Sequence, residues 1–144
     1  TAEENLLFYG RMYGVDDLAD RIKEVLALVG LTNRRRDLVR TFSRGMQQRL
    51  AIGRAVLHDP DVVLFDEPHT GLDQDASAML DTVLQEVAAR GRTVVMTSHD
   101  LARAADLASR FDVISRGVIS ASVKREEIDP NDLLSFYRGA LQES

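Results

Sequence analysis

What this 144-residue chain lacks closes off several chemistries at once. It has no cysteine, so disulfides and thiolate metal sites are excluded, a usage that fits a reducing compartment. Lysine occurs only as Lys23, after Ile22, and Lys124, after Val123. A phosphate-cradling loop of the form G-x-x-x-x-G-K-[ST] needs a lysine directly after glycine, so no such loop lies within this sequence. No apolar run approaches the roughly 18 residues of a membrane-spanning helix, and no charged-then-apolar leader opens the chain. If the protein serves a membrane process, another chain is expected to supply the membrane part. Positive charge is short as well. A formal net charge of -5 argues against a general nucleic-acid binder.

What is present reads as one globular, soluble domain with a real core. Hydrophobic residues make up 44% and charged residues 28%, the ordinary balance for that class. Thr1 with Glu4 matches a capping box, so a helix is expected at once, ending by Gly10 or Gly14. Leu18, Ile22, Val25, Leu26 and Val29 follow helical spacing, with Gly30 as a stop. The polar stretch from Thr32 to Asp37 holds Arg34-Arg35-Arg36, read as a solvated loop or a partner contact. Ser43 then suits the N-cap of a third helix, Arg44 to Leu57.

The pattern changes after Pro60. Val62 to Phe65 is a continuous apolar run before Pro68, as expected of a strand buried on both faces. Leu80, Val83, Leu84 and Val87 mark a helix within Leu72 to Arg90, and Gly91 stops it. Thr93 to Thr97 is a second expected buried strand, Leu101 to Ser109 a short helix, and Phe111 to Ile114 a third strand. Val118 to Val123 is expected to pair with that strand across Arg116-Gly117. Asp129-Pro130 opens a closing helix through Leu133, Leu134 and Tyr137. Strands alternating with helices imply βαβ units and a mainly parallel sheet, whose ligands collect beyond the strand C-termini. Asp66-Glu67 and Ser98-His99 both fall at such ends.

Each of these segments has a chemical and a plain structural reading. A carboxylate such as Asp66 at a sheet edge can hold Mg²⁺ through its waters, and Glu67, pointing the other way, can orient or deprotonate a water. The plain reading is a solvated acidic pair ending a strand. Asp73, in His69-Thr70-Gly71-Leu72-Asp73, suits an N-cap. A lone histidine such as His99 is commonly a structural hydrogen-bonder. Ser43-Arg44-Gly45 opens a helix, whose exposed amides and positive dipole end attract anions. His58 and His69 receive no role.

Taken in order, Ser43-Arg44-Gly45-Met46-Gln47-Gln48-Arg49, Val62-Val63-Leu64-Phe65-Asp66-Glu67-Pro68 and Thr97-Ser98-His99-Asp100 resemble the second half of an ATP-binding cassette (ABC) ATPase. Gly53-Arg54-Ala55 matches as well. The resemblance implies an α/β fold with the C-terminal part of a P-loop NTPase-like parallel-sheet core and an N-terminal helical subdomain. Residues 1–57 would form that subdomain with the signature motif, and 58–144 the core part with Walker B, D-loop and switch histidine. It further implies ATP and Mg²⁺ as cofactors, with Asp66 at the metal and Glu67 and His99 catalytic. Ser43, Arg44, Gly45 and Met46 would meet the nucleotide of a second subunit in a head-to-tail dimer, with Asp73 at the crossing loop. Against the usual L-S-G-G-Q, Phe42, Arg44 and Met46 are departures, while Ser43 and Gly45 are kept. Arg44 adds positive charge there or marks a subfamily.

The implied protein is an ATPase subunit on the cytoplasmic face of a membrane, peripheral to a transmembrane permease and without nucleic acid. A start at Thr1 and the absent lysine loop suggest a fragment or a trimmed chain, expected to be inactive alone. F-S-R-G-M-Q-Q-R-L, D-E-P-H-T-G-L-D and L-L-S-F-Y-R look most similar to haem-exporter ATPases of cytochrome c maturation. Drug and antibiotic exporters, which share S-[KR]-G-M forms, are the alternative. An inactive remnant or a soluble ABC ATPase of repair or translation is the reading outside transport.

Overall fold

The first helix, α1 (Ala2–Met12), begins where Thr1 and Glu4 dictate. The Glu4 amide donates to Thr1 Oγ1 at 3.2 Å, and the Glu4 carboxylate reaches back to the Thr1 nitrogen, completing the capping box. This protein's structure is a computed structural model and describes residues 1–142. The second helix, α2 (Leu18–Leu28), buries Ile22, Val25 and Leu26, and Gly30 ends it with φ +66°. Gly10 lets α1 and α2 come together: a β-carbon built there would lie 2.1 Å from Leu18 Cδ1. Any larger residue there would force the Leu18 side chain to move.

The third helix, α3 (Arg44–Val56), starts at the expected cap, with the Met46 amide donating to Ser43 Oγ at 3.3 Å. Its C-terminal carbonyls are satisfied from α2. Arg21 donates through Nε to Leu57 O at 2.9 Å and through Nη2 to Val56 O at 2.8 Å. Leu6, Leu26, Leu31, Ile52 and Leu57 are fully buried among these helices. Each such side chain contributes about 1.5–3 kcal/mol of burial. The arginine run forms a solvated turn, in which Arg34 pairs with Asp37 at 3.1 Å and Arg35 lies 3.9 Å from Glu3.

Beyond Pro60 the chain makes one βαβ unit. Strands β1 (Val62–Phe65) and β2 (Thr93–Met96) pair in parallel, Val62 opposite Thr93 and Phe65 opposite Met96, with α4 (Gln74–Ala89) between them in sequence. Leu80, Val83, Leu84 and Val87 of α4 are buried, as their spacing predicts. The expectation of strands buried on both faces does not hold in the described residues. Val63 is buried at 4% exposure, but Val62, Leu64 and Val95 are 53%, 74% and 49% exposed. One crossover helix covers one face of a sheet, and apolarity in the strands cannot create a second cover.

The chain divides into two compact units, Thr1–Thr97 and the part from Ser98 onward. The second unit holds α5 (Leu101–Leu107), the strands β3 (Arg110–Ser115) and β4 (Val118–Lys124), and α6 (Leu133–Gln142). The strands β3 and β4 form the expected hairpin, antiparallel from Arg110 opposite Lys124 to Ser115 opposite Val118. Arg116 and Gly117 both take positive φ, the backbone that a two-residue hairpin turn requires. Unlike the parallel pair of the first unit, this is an antiparallel ribbon. Arg125 ties the ribbon's end to α5, its Nε donating to Ala105 O at 2.9 Å. The closing helix begins later than Pro130: Asp129 caps a 3-10 turn over Pro130–Asp132, and α6 follows with Leu133 and Ala140 buried.

Candidate active site

Parallel pairing brings the C-terminal ends of β1 and β2 side by side, and the chain leaves β1 through Asp66 and Glu67. The Thr97 amide extends the ladder by donating to Phe65 O at 2.9 Å. Its hydroxyl then does two things at once. It donates to Asp66 Oδ1 at 2.6 Å and accepts from the Glu67 amide at 2.9 Å. A hydroxyl has one proton to give and lone pairs to receive, so both bonds form together. Thr97 thus fixes the two acidic residues relative to each other. It lay inside a quoted motif without a role of its own, and its position one residue past a β-branched strand was the available signal.

Glu67 stands at φ +44°, a left-handed backbone uncommon for a residue with a β-carbon. Such conformations persist where the surroundings over-determine them, and they concentrate at functional sites. Here the surroundings are visible. Thr97 holds the amide, the Thr70 amide donates to Glu67 O at 3.1 Å, and Thr70 Oγ1 donates to Glu67 Oε2 at 3.5 Å. Asp66 is exposed and engages Thr97 through one carboxylate oxygen. That fits a Mg²⁺ held through water by a single carboxylate, because Mg²⁺ keeps most of its waters.

From Pro68 the loop is fastened to α4. Asp73 caps that helix, accepting from the Ala76 amide at 2.8 Å, as its place in the sequence predicts. His69 Nε2 lies 2.7 Å from Asp81 Oδ1, while its Nδ1 is buried without a partner. The histidine given no role from sequence is therefore an anchor between loop and helix.

The Ser43 segment approaches the same loop from α3. Gln48 Nε2 donates to Pro68 O at 3.4 Å, and the Arg44 guanidinium lies against Gly71, within 3.0 Å of where a β-carbon would be. At Gly45 the backbone is open, with nothing within 4 Å of a built β-carbon, which leaves room for a ligand to approach the amides at the start of α3. Ser43 is exposed and Met46 half-buried. Ser43, Arg44, Gly45, Met46, Asp66, Glu67 and Asp73 all belong to the first unit, in which Arg44 and Gln48 reach from α3 to the loop.

Ser98 and His99 open the second unit. The Asp100 amide donates to Ser98 Oγ at 3.0 Å, and Asp100 caps α5 by accepting from the Arg103 amide at 3.1 Å. His99 is exposed on this cap.

Residues 1–70 match the family described as "ABC transporter". A linearmycin resistance ATP-binding protein of Bacillus subtilis (strain 168) is 42% identical over 124 residues, covering 84% of this chain and 40% of the relative. A fluoroquinolones export ATP-binding protein of Mycobacterium tuberculosis (strain CDC 1551 / Oshkosh) is 37% identical over 121 residues, again 84% of this chain and 40% of the relative. A solved structure of the ATP-binding subunit of an ABC transporter superposes with a TM-score of 0.79 at 28% identity, over 99% of this chain and 59% of that one. The chain spans about two-fifths of the length of these two curated relatives. Their names speak of antibiotic resistance and drug export. Neither speaks of haem.

Proposed function

Since the chain belongs to the ABC transporter ATPase family, we propose that it is part of the ATP-binding and ATP-hydrolysing subunit of a drug- or antibiotic-type exporter. The names of the relatives favour that alternative over the haem export expected from the F-S-R-G-M and L-L-S-F-Y-R segments. Among the described residues no helix is long and apolar enough to cross a membrane. In this reading, which rests on the relatives' names as ATP-binding proteins of resistance and export, a permease partner carries the cargo and the subunit sits at the cytoplasmic face. We keep the division into a helical signature part, residues 1–57, and a core part, residues 58–144, as part of the proposal.

The single observation that carries the reading is the Thr97 bridge, which sets Asp66 and Glu67 side by side beyond the C-terminal end of a parallel strand pair. Asp66 would hold a Mg²⁺, which would neutralise phosphate charge when bound. Glu67, held at its left-handed backbone, orients the attacking water and accepts its proton. His99 supplies a donor to the γ-phosphate. Ser43, Arg44, Gly45 and Met46 present a helix start to the nucleotide of the opposite subunit in a head-to-tail dimer, and Asp73 lines the crossing loop. Lacking a glycine-lysine loop, the 144 residues alone do not grip the phosphates and do not turn over ATP.

Glu67→Gln in the complete subunit tests this. The amide keeps the shape and loses the base, so turnover falls by roughly 10²–10⁴ while ATP still binds and an ATP-bound dimer accumulates. Turnover within a few-fold of the parent would mean that Glu67 is not the catalytic carboxylate.

A further inference from the structure

We infer that Arg44 is a positioning residue, which with Gln48 braces the Pro68–Gly71 loop against the start of α3 and so sets where Glu67 and Asp73 stand. The inference rests on the functional reading above for what the loop is for. Its physical basis is independent of that reading.

Arg44 and Gln48 are four residues apart on α3 and therefore share one face. Both reach the same loop. Gln48 Nε2 donates to Pro68 O at 3.4 Å. A β-carbon built on Gly71 would meet Arg44 Cζ at 3.0 Å, Nη2 at 3.1 Å and Nε at 3.4 Å, so the flat guanidinium lies across the Gly71 backbone. That contact uses shape, since among the described residues Arg44 has no ion pair. Gly71 also has φ +77°, a backbone that favours glycine, and a β-carbon there would press on the arginine covering it.

The loop is otherwise fastened on two sides. Thr97 holds it at the strand ends, and His69 and Asp73 hold it to α4. Gln48 and Arg44 add the third fastening, the one that joins it to the segment carrying Ser43 and Gly45. With three fixed sides the backbone from Glu67 to Asp73 has little freedom, and Glu67 is kept in its uncommon conformation. A glycine at position 44, as in L-S-G-G-Q, has no side chain to reach Gly71. The brace is thus a property of this chain's S-R-G-M form.

The test uses the complete ATP-binding subunit and the variants Arg44→Ala, Arg44→Lys and Gly71→Ala. Lysine keeps the charge and loses the plane, so it separates a brace from an electrostatic contact. Both Arg44 variants should speed amide exchange at Thr70 and Leu72, whose N–H groups close the loop onto Glu67 O and His69 O, by about tenfold. Both should lower kcat about tenfold with KM for ATP within twofold, the mark of a misplaced group rather than a lost ligand contact. Arg44→Ala should relieve part of the damage done by Gly71→Ala, leaving the double variant at least about threefold more active than the product of the singles. Rescue by lysine, a raised KM with unchanged loop exchange, or strictly multiplicative loss would each overturn the brace. Should the parent subunit show no ATP hydrolysis, the proposed function falls, and loop exchange alone then decides whether Arg44 braces.

Discussion

Thr97→Val is the most informative single change at this site. Valine matches threonine in shape and in strand preference, so β2 and its pairing remain, and only the hydroxyl goes. Two bonds are lost with it: the 2.6 Å donation to Asp66 Oδ1 and the 2.9 Å acceptance from the Glu67 amide. A bond to a charged group is worth about 1.5–3 kcal/mol and a neutral one about 0.5–1.5 kcal/mol when water cannot replace them. Thr97 and Asp66 are exposed, so water takes up most of this, and about 1 kcal/mol of stability is the expected net loss. That corresponds to a melting point lower by roughly 3–5 °C for a chain of this size. The functional loss should be larger, because the same hydroxyl aligns both carboxylate-bearing residues. ATP turnover by the complete subunit should fall by roughly 10–100-fold, the scale of small misplacements at a reacting centre. Thr97→Ser keeps the hydroxyl and should restore most of it. Thermal unfolding and steady-state turnover, run on both variants, decide the matter. If Thr97→Val hydrolyses ATP within twofold of the parent, Thr97 does not align the pair, and the geometric case for Asp66 and Glu67 loses its support.

Gly45→Asp in the complete subunit places a carboxylate at the open start of α3. Like charges at about 4 Å repel by roughly 1–4 kcal/mol at surface dielectric values. ATP binding to the monomer should survive while ATP-driven dimerisation and hydrolysis collapse; light scattering with and without ATP, beside a nucleotide titration, reads the difference, and the opposite pattern would refute the head-to-tail assignment. A third expectation concerns acid. A side-chain hydrogen bond from Arg92 holds the Asp59 carboxyl below its ordinary range. A depressed folded value means stability present above the ordinary carboxylate pKa of about 3.9 and lost as pH falls through the folded value. Asp59→Asn tolerates the position's φ of +49°, so the stability gap between parent and variant should narrow as pH falls below the ordinary carboxylate value of about 3.9 in denaturant titrations. A gap that widens as the pH falls would exclude the linkage.

Much of this molecule was legible in local chemistry. The Thr1 and Glu4 cap, the Ser43 and Asp73 N-caps, the Gly30 stop and the Arg116-Gly117 hairpin were all foreseeable. Each is decided within four residues of itself, by which side-chain atoms can reach which amides and by which residues tolerate positive φ. The βαβ alternation likewise follows from hydrophobic period, and it places Asp66-Glu67 at a strand end without any coordinates. What tertiary structure alone decided are the facts that need two distant segments at once. No local pattern shows that one hydroxyl at Thr97 joins Asp66 to Glu67, or that His69 fastens its loop to Asp81. Nor does one show Arg44 lying across Gly71, since these two residues, 27 positions apart, become neighbours only when α3 packs beside the loop. The open faces of Val62, Leu64 and Val95 teach the same lesson from the other side. Apolarity states what a strand can bury, while burial itself depends on which layers the fold lays over it.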